Sequence, residues 1–218
     1  MRILIAGATG LVGQGVLHEV LADPGVTAVG LLVRHPPAVD DSRIALLQVP
    51  GYDALDGLGE RLRGWEACFY CAGAPPLGTP EPTYRHVTLD LTLHVARAYA
   101  AANPSGRFLY ISGAGADPAS RLMPMRVKGE TERALRALPI VTVMLRPGGI
   151  APRHGERSPH PWMRPFYRLA GPGLRLGARL APALLTDTAR VGRALLALAR
   201  MPAPPAVVEN AEINRLGR

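Results

Sequence analysis

Lysine is almost absent. Of the 25 lysines and arginines in this 218-residue chain, all but one are arginine, and the exception is Lys128. Ala, Pro and Gly are abundant as well, so the composition is biased towards arginine as a whole. Against that bias a lone lysine marks a position where arginine would not serve, since an ammonium is a compact, titratable point charge and a guanidinium is neither. A surface lysine retained by chance is the plain alternative. Aromatic residues make up 5% of the chain, which leaves Leu, Val, Ile and Ala to build the core. Cysteine occurs twice, at Cys68 and Cys71, too few for a disulfide framework in a chain of this size. No apolar run reaches the ~18 residues of a membrane span, and no charged leader with a small-residue cleavage site precedes the first apolar run. These absences lead to the expectation of a soluble, reduced, cytoplasmic protein. Dense basic runs are missing too. The net charge is +8, but the arginines are scattered in ones and twos, so nucleic acid is not expected as a partner. A phosphorylated ligand is another reason for positive charge.

Apolar runs alternate with helical patterns along most of the chain. Strands are expected at Arg2–Ala6, Ala28–Val33, Ile44–Val49, Ala67–Ala72, Arg107–Ser112 and Ile140–Leu145, with a last short one at Ala206–Val208. Helices are expected at Leu11–Ala22, Thr83–Ala102, Met125–Leu138 and Thr188–Ala199. The β-α-β-α order calls for a doubly wound parallel sheet with helices on both faces, an α/β fold of Rossmann type. Continuously apolar strands such as ILIA and VTVML fit a sheet covered on both sides. The whole chain, 1–218, reads as one domain, with 151–186 as a small substrate-side lid.

The first strand runs into GATGLVG, residues 7–13, which opens a helix. Glycines in that context permit a tight turn at Gly7, let the backbone approach a pyrophosphate at Gly10, and allow close packing of helix on strand at Gly13. Ala8, Thr9, Leu11 and Val12 between them offer the backbone N–H groups of the helix N-terminus to the phosphates. An NAD-binding site places an acidic residue about 20 residues further on, at the end of the second strand. Here the strand VGLLV ends in Arg34 followed by His35, a charge-assisted donor for a 2′-phosphate. NADP(H) is therefore expected over NAD(H), which stays possible through Asp40 or Asp41.

Taken together, GATGLVG, Arg34, Asp53 in GYDALDGL, CAGA at 71–74, ISG at 111–113, Lys128 and LRPGGI at 145–150 resemble the short-chain dehydrogenase/reductase superfamily. The GATGxxG form, LRPGGI and the length are similar to its atypical branch, with the epimerase/dehydratase-like proteins, the NmrA-like regulators and the Tat-interacting oxidoreductase group. The resemblance implies that Asp53 contacts adenine, that Ala72 and Gly73 run along the ribose, and that Pro147 and Gly148 pass the nicotinamide amide. It also implies a catalytic Ser, Tyr and Lys, with Tyr four residues before Lys. Ser112 stands at the end of its strand to position a substrate oxygen, and Lys128 stands on the next helix to hold the ribose. The fourth residue before Lys128 is Pro124, and no tyrosine lies between Tyr110 and Tyr167.

A positioned proton donor contributes roughly 10²–10⁴-fold to rate, so an efficient carbonyl reductase needs a substitute. Tyr84, His86, His154, His160 and Tyr167 are the candidates, each with a plain surface or helix-face reading. Tyr110 shares a strand face with Ser112 but lies two residues back, beneath the sheet edge. Cys68 and Cys71 fall within one strand, three apart and so on opposite faces, which suits two buried thiols and not a metal site. In the lid segment Trp162, Phe166 and Tyr167 sit among Arg153, Arg157, Arg164 and Arg168, ahead of Arg175 and Arg179. That mixture fits walls and cationic donors for an acidic ligand; a partner or membrane-surface patch is the other reading. Two functions remain open. One is an NADP(H)-dependent oxidoreductase or epimerase-like enzyme acting on a small molecule. The other is a dinucleotide-binding regulator or redox sensor without turnover. A homodimer paired through the Thr83–Ala102 helix is an expectation by family analogy.

Overall fold

The computed structural model describes residues 1–156 and 184–218. Seven parallel strands form the sheet: β1 (Arg2–Ala6), β2 (Ala28–Val33), β3 (Ile44–Gln48), β4 (Ala67–Tyr70), β5 (Arg107–Ile111), β6 (Val141–Arg146) and, closing it, β9 (Val207–Glu209). Their spatial order is β3-β2-β1-β4-β5-β6-β9. The chain thus winds outwards from β1 in one direction and from β4 in the other. In register, Ile3 pairs with Val29 on one side and with Ala67 on the other. The crevice between β1 and β4 is the topological switch point, where open α/β sheets bind ligands at their carboxyl ends.

The period-two alternation of β1 assigns its side chains to two cores. Ile3 and Ile5 join a cluster under α1 (Leu11–Ala22) and α5 (Thr188–Arg200), with Val16, Leu17, Val20, Val191 and Leu195. Leu4 and Ala6 join the opposite cluster with Tyr99, Tyr110 and Leu135, under α3 (Leu91–Ala102) and α4 (Met123–Arg136). Cys68 belongs to the second cluster, while Cys71 packs against the first. Both are free thiols, as their alternation requires.

Several elements depart from expectation. The helix expected over Thr83–Ala102 begins at Glu81, and it is not uniform. A short α2 (Glu81–Arg85) runs through a π-helical turn, His86–Asp90, into α3. The helix after β5 starts at Met123 and carries Pro124 inside its first turn, where proline's missing N–H has no intrahelical acceptor to lose. A 3-10 stretch at Asp56–Leu62, a two-stranded parallel pair of β7 (Gly149–Ala151) and β8 (Leu185–Asp187), and α6 (Asn210–Leu216) had no clear periodic signal. Three-residue strands are too short to show alternation. Asp187 caps α5 by accepting from the Arg190 amide at 2.8 Å. Of the expected lid, residues 157–183 lie outside the described residues, and with them His160, Trp162, Phe166, Tyr167 and the arginines at 157, 164, 168, 175 and 179.

Candidate dinucleotide and active site

The β1–α1 turn is built so tightly that side chains are excluded. Gly7 has φ +85°, and a Cβ there would stand 2.5 Å from the Ala72 amide nitrogen after β4. A Cβ at Gly13 would collide with the Gly7 carbonyl oxygen. Gly10 caps α1 with no side-chain hydrogen bond. The first-turn amides of Leu11, Val12 and Gly13 therefore have no intrahelical acceptor and carry the positive end of the helix dipole. These are features of a cradle for an anion.

From that turn a cavity of about 700 Å³ runs along the carboxyl edge of the sheet. Gly10, Leu11 and Val12 lie at one end, Ala72 and Gly73 along its side, and Lys128, Pro147 and Gly148 at the other. Eight of the expected cofactor-contacting residues thus share one space. Ala8 and Thr9 open instead onto a neighbouring cavity of about 470 Å³, bordered by Pro37, Val39, His18 and His154. Arg34 and Asp53 line neither. Arg34 is exposed at the end of β2, and its guanidinium has no hydrogen-bond or ion-pair partner among the described residues. Asp53 is exposed in the next turn, beside Tyr52. Tyr52 went unnoticed in the sequence. Its hydroxyl donates to the Leu32 carbonyl at 3.1 Å, which fastens the Asp53 turn to β2. Burial pushes its phenol up to about 12, and the charge of nearby Arg34 opposes the rise.

At the far end the chemistry is different. β5 stops at Ile111, and Ser112 continues the face on which Phe108 and Tyr110 point towards α3 and α4. Ser112 is 1% exposed, and its hydroxyl donates to Glu132 Oε1 at 2.6 Å. Glu132, one turn beyond Lys128, is itself buried and accepts from Arg146 at 2.9 Å and 2.7 Å. Arg146 also reaches Glu209 at 3.0 Å, tying the end of β6 to β9 and α4. The Ser112 hydroxyl is thus engaged by an internal carboxylate, while the residue also lines the cavity. The next position faces the lysine: a Cβ at Gly113 would stand 2.9 Å from Lys128 Nζ. Lys128 Nζ donates to the Ser112 carbonyl. Desolvation brings its ammonium down to about 8, against the opposing pull of the Glu132 carboxylate. Pro124 lines the cavity where the family tyrosine would stand.

The candidate proton donors separate clearly. His86 is exposed and pairs with Asp90 at 3.5 Å. His154 accepts or donates to Glu19 at 2.8 Å and stacks on His18, with ring centroids 3.8 Å apart. Tyr110 is buried between Tyr70 and the helices and borders no described cavity. Tyr84 alone of the described candidates lines the large cavity.

No protein-family model matches the chain. It is 31% identical over 176 residues to "Protein fmp52, mitochondrial" of Emericella nidulans, covering 76% of this chain and 74% of that one. To the FMP52 protein of Coccidioides immitis it is 29% identical over 168 residues, 70% of this chain and 67% of that one. The HTATIP2 protein of Rattus norvegicus is 26% identical over 169 residues, with 76% and 69% covered. Among solved structures, MoeE5 in complex with UDP-glucuronic acid and NAD superposes with a TM-score of 0.71 at 20% identity, over 95% of this chain and 75% of that one. The superposition shows a shared fold. The cytoplasmic expectation is overturned, since the FMP52 relatives are named as mitochondrial proteins. Reduced thiols and the lack of an apolar span do not distinguish one reducing compartment from another. Among the described residues, no helix is long and apolar enough to cross a membrane.

Proposed function

The chain belongs to the atypical short-chain dehydrogenase/reductase superfamily, beside the FMP52 proteins, and on that premise we propose that it binds NADP(H) and acts as an oxidoreductase on a small molecule. The observation that carries the reading is the glycine cradle. Its Gly7 and Gly13 admit no Cβ, its helix amides are unpaired, and it stands at the switch point of the sheet. The residues present fit a dinucleotide. The α1 amides would hold the pyrophosphate, Ala72 and Gly73 would follow a ribose, and Lys128 would donate to the hydroxyls of the nicotinamide ribose. Bound there, a nicotinamide supplies or accepts a hydride. The guanidinium of Arg34, without a partner among the described residues, supports a 2′-phosphate and hence NADP(H) over NAD(H). What this chain's residues contribute is orientation: backbone at one end and an ammonium at the other, across a cavity walled largely by apolar side chains.

A calorimetric titration with NADPH, NADP⁺, NADH and NAD⁺, repeated with Arg34→Ala, tests the reading. NADP(H) affinity is expected to fall by roughly tenfold or more in the variant, the worth of one charge-assisted bond, with NAD(H) unaffected. Absence of binding by all four dinucleotides would overturn it. A second reading, a dinucleotide-binding regulator without turnover, is favoured by Pro124 and by the internal engagement of Ser112. It requires that no carbonyl or alcohol substrate stimulates NADPH loss or NADP⁺ reduction.

A further inference from the structure

We propose that His18, Glu19 and His154 form a binding site for a divalent cation of the zinc class, which ties α1 to the chain just beyond β7. The proposal does not depend on the dinucleotide reading above. His154 follows β7, 135 residues beyond Glu19, and only folding brings the two together. Each of the three residues offers one ligand atom, and these atoms lie within 4.8 Å of one another. Glu19 Oε1 stands 2.8 Å from His154 Nε2 and 3.6 Å from His18 Nδ1. Ligand atoms held tetrahedrally at about 2.0–2.1 Å from zinc are about 3.3 Å apart, so the two observed separations bracket what such an ion requires.

The carboxylate and one imidazole are held in place by their surroundings. A Cβ at Gly192 would stand 2.9 Å from both Cβ and Cγ of Glu19, so α5 packs directly on the stem of the glutamate. Arg193 Nη1 lies 3.3 Å from Glu19 Oε2, the other carboxylate oxygen, while its Nε donates to the Gly217 carbonyl at 2.8 Å. Partners of this kind fix the orientation of a ligating carboxylate, and here they leave Oε1 to the two imidazoles. The His154 amide donates to Glu156 Oε2 at 2.8 Å, and Glu156 Oε1 accepts from Thr188 Oγ1 at 2.5 Å at the start of α5. The His154 backbone is thereby anchored to the same helix that supports Glu19.

A hydrogen bond to Glu19 accounts for His154 but leaves the His18 nitrogen at 3.6 Å, beyond hydrogen-bond reach. An ion between them engages both. The imidazoles are stacked, with ring centroids 3.8 Å apart. To aim its lone pair at the ion the His18 ring turns out of that stack, and its side chain is 54% exposed, which leaves it free to turn. Two imidazoles and one carboxylate suit zinc, whereas magnesium and calcium take oxygen ligands. Three protein ligands leave a fourth position for water, beside the cavity of about 470 Å³ that His18, His154 and Thr9 border. The ion thus clamps the helix that opens from the glycine cradle to the segment after β7.

Titration of the untagged, metal-free chain with Zn²⁺ against a chromogenic chelator tests this, alongside His18→Ala and His154→Ala. Wild type is expected to bind a single zinc ion, and each variant to bind it roughly 100-fold or more weakly. Excess Mg²⁺ should leave zinc binding unchanged. Zinc should raise the melting temperature of wild type, because an ion that binds only the folded chain stabilises it, and should do so in neither variant. His18 is exposed, so its replacement leaves the fold intact and carries the test even if His154→Ala does not fold. A wild type that binds no zinc would overturn the proposal. So would zinc binding that either substitution leaves unchanged, which places the ion elsewhere, or displacement of zinc by Mg²⁺.

Discussion

At the β1–α1 end of the carboxyl edge the groups facing the cavity are main-chain amides, whereas at the β5–α4 end they are side chains, several of them already committed to one another. The first arrangement needs only that side chains be absent: Gly7 and Gly13 leave no room for a Cβ. The second depends on Glu132 collecting the Ser112 hydroxyl and the Arg146 guanidinium while Lys128 leans on the Ser112 carbonyl. A backbone cradle is specified by local sequence and serves any dinucleotide. A side-chain site is specified by long-range packing, and a few substitutions can redirect its chemistry. The two ends of one cavity can therefore keep a shared ligand function and diverge in reaction.

Breaking the side-chain end should have the largest effect. Glu132→Ala leaves the half-buried Arg146 with Glu209 alone and the buried Ser112 hydroxyl without its acceptor, and is expected to cost about 3 kcal/mol. Urea denaturation would show it as a lower midpoint with an unchanged slope. The glycine end is next. Gly13→Ala drives a methyl group into the Gly7 carbonyl, which should cost about 1–3 kcal/mol and abolish NADPH binding, read by calorimetry on the folded variant. A variant that binds NADPH normally would show that the turn can relax, and would remove the distinction between the two ends.

The third effect has the opposite sign. The Lys128 ammonium is lowered from 10.5 to about 8 by burial, so between those pH values the unfolded chain holds a proton that the folded chain has released. Stability then rises with pH across that window, and below about pH 8 the folded state carries the full penalty of a buried charge. Lys128→Met should therefore stabilise the protein by about 2–3 kcal/mol at pH 7, with the gain fading by pH 10.5, while NADPH binding weakens. Thermal melts at pH 7 and pH 10.5 check the sign. A lysine that supports a ligand at the expense of the fold sharpens the contrast with the glycine end, where the same atoms serve both.

Legibility followed the range of the interactions. GATGLVG, its strand and its helix were readable because the turn and cap are local, although the Ala72 backbone that closes on Gly7 is not, and β1 and α1 have the bounds expected for them. The arginine at the end of β2 was readable for the same reason. The position of Ser112 at a strand end was legible in the sequence, while its hydrogen-bond partner Glu132, 20 residues on, was not. Tyr52 carried no motif, and its hydrogen bond to Leu32 spans 20 residues. Tyr84 stood among several candidates that no spacing could rank, since only packing brings α2 to the same cavity as α4.

The sequence by itself determined the doubly wound fold, the dinucleotide turn and the loss of the tyrosine at position 124, because each depends on neighbours along the chain and on strand and helix periodicity. Which side chains border the cavity and which hydroxyl meets a carboxylate was decided by tertiary structure alone. Hydrogen bonds of side chains are formed between surfaces that meet only when the sheet is covered, and no local pattern encodes the direction in which a serine or a tyrosine will then point.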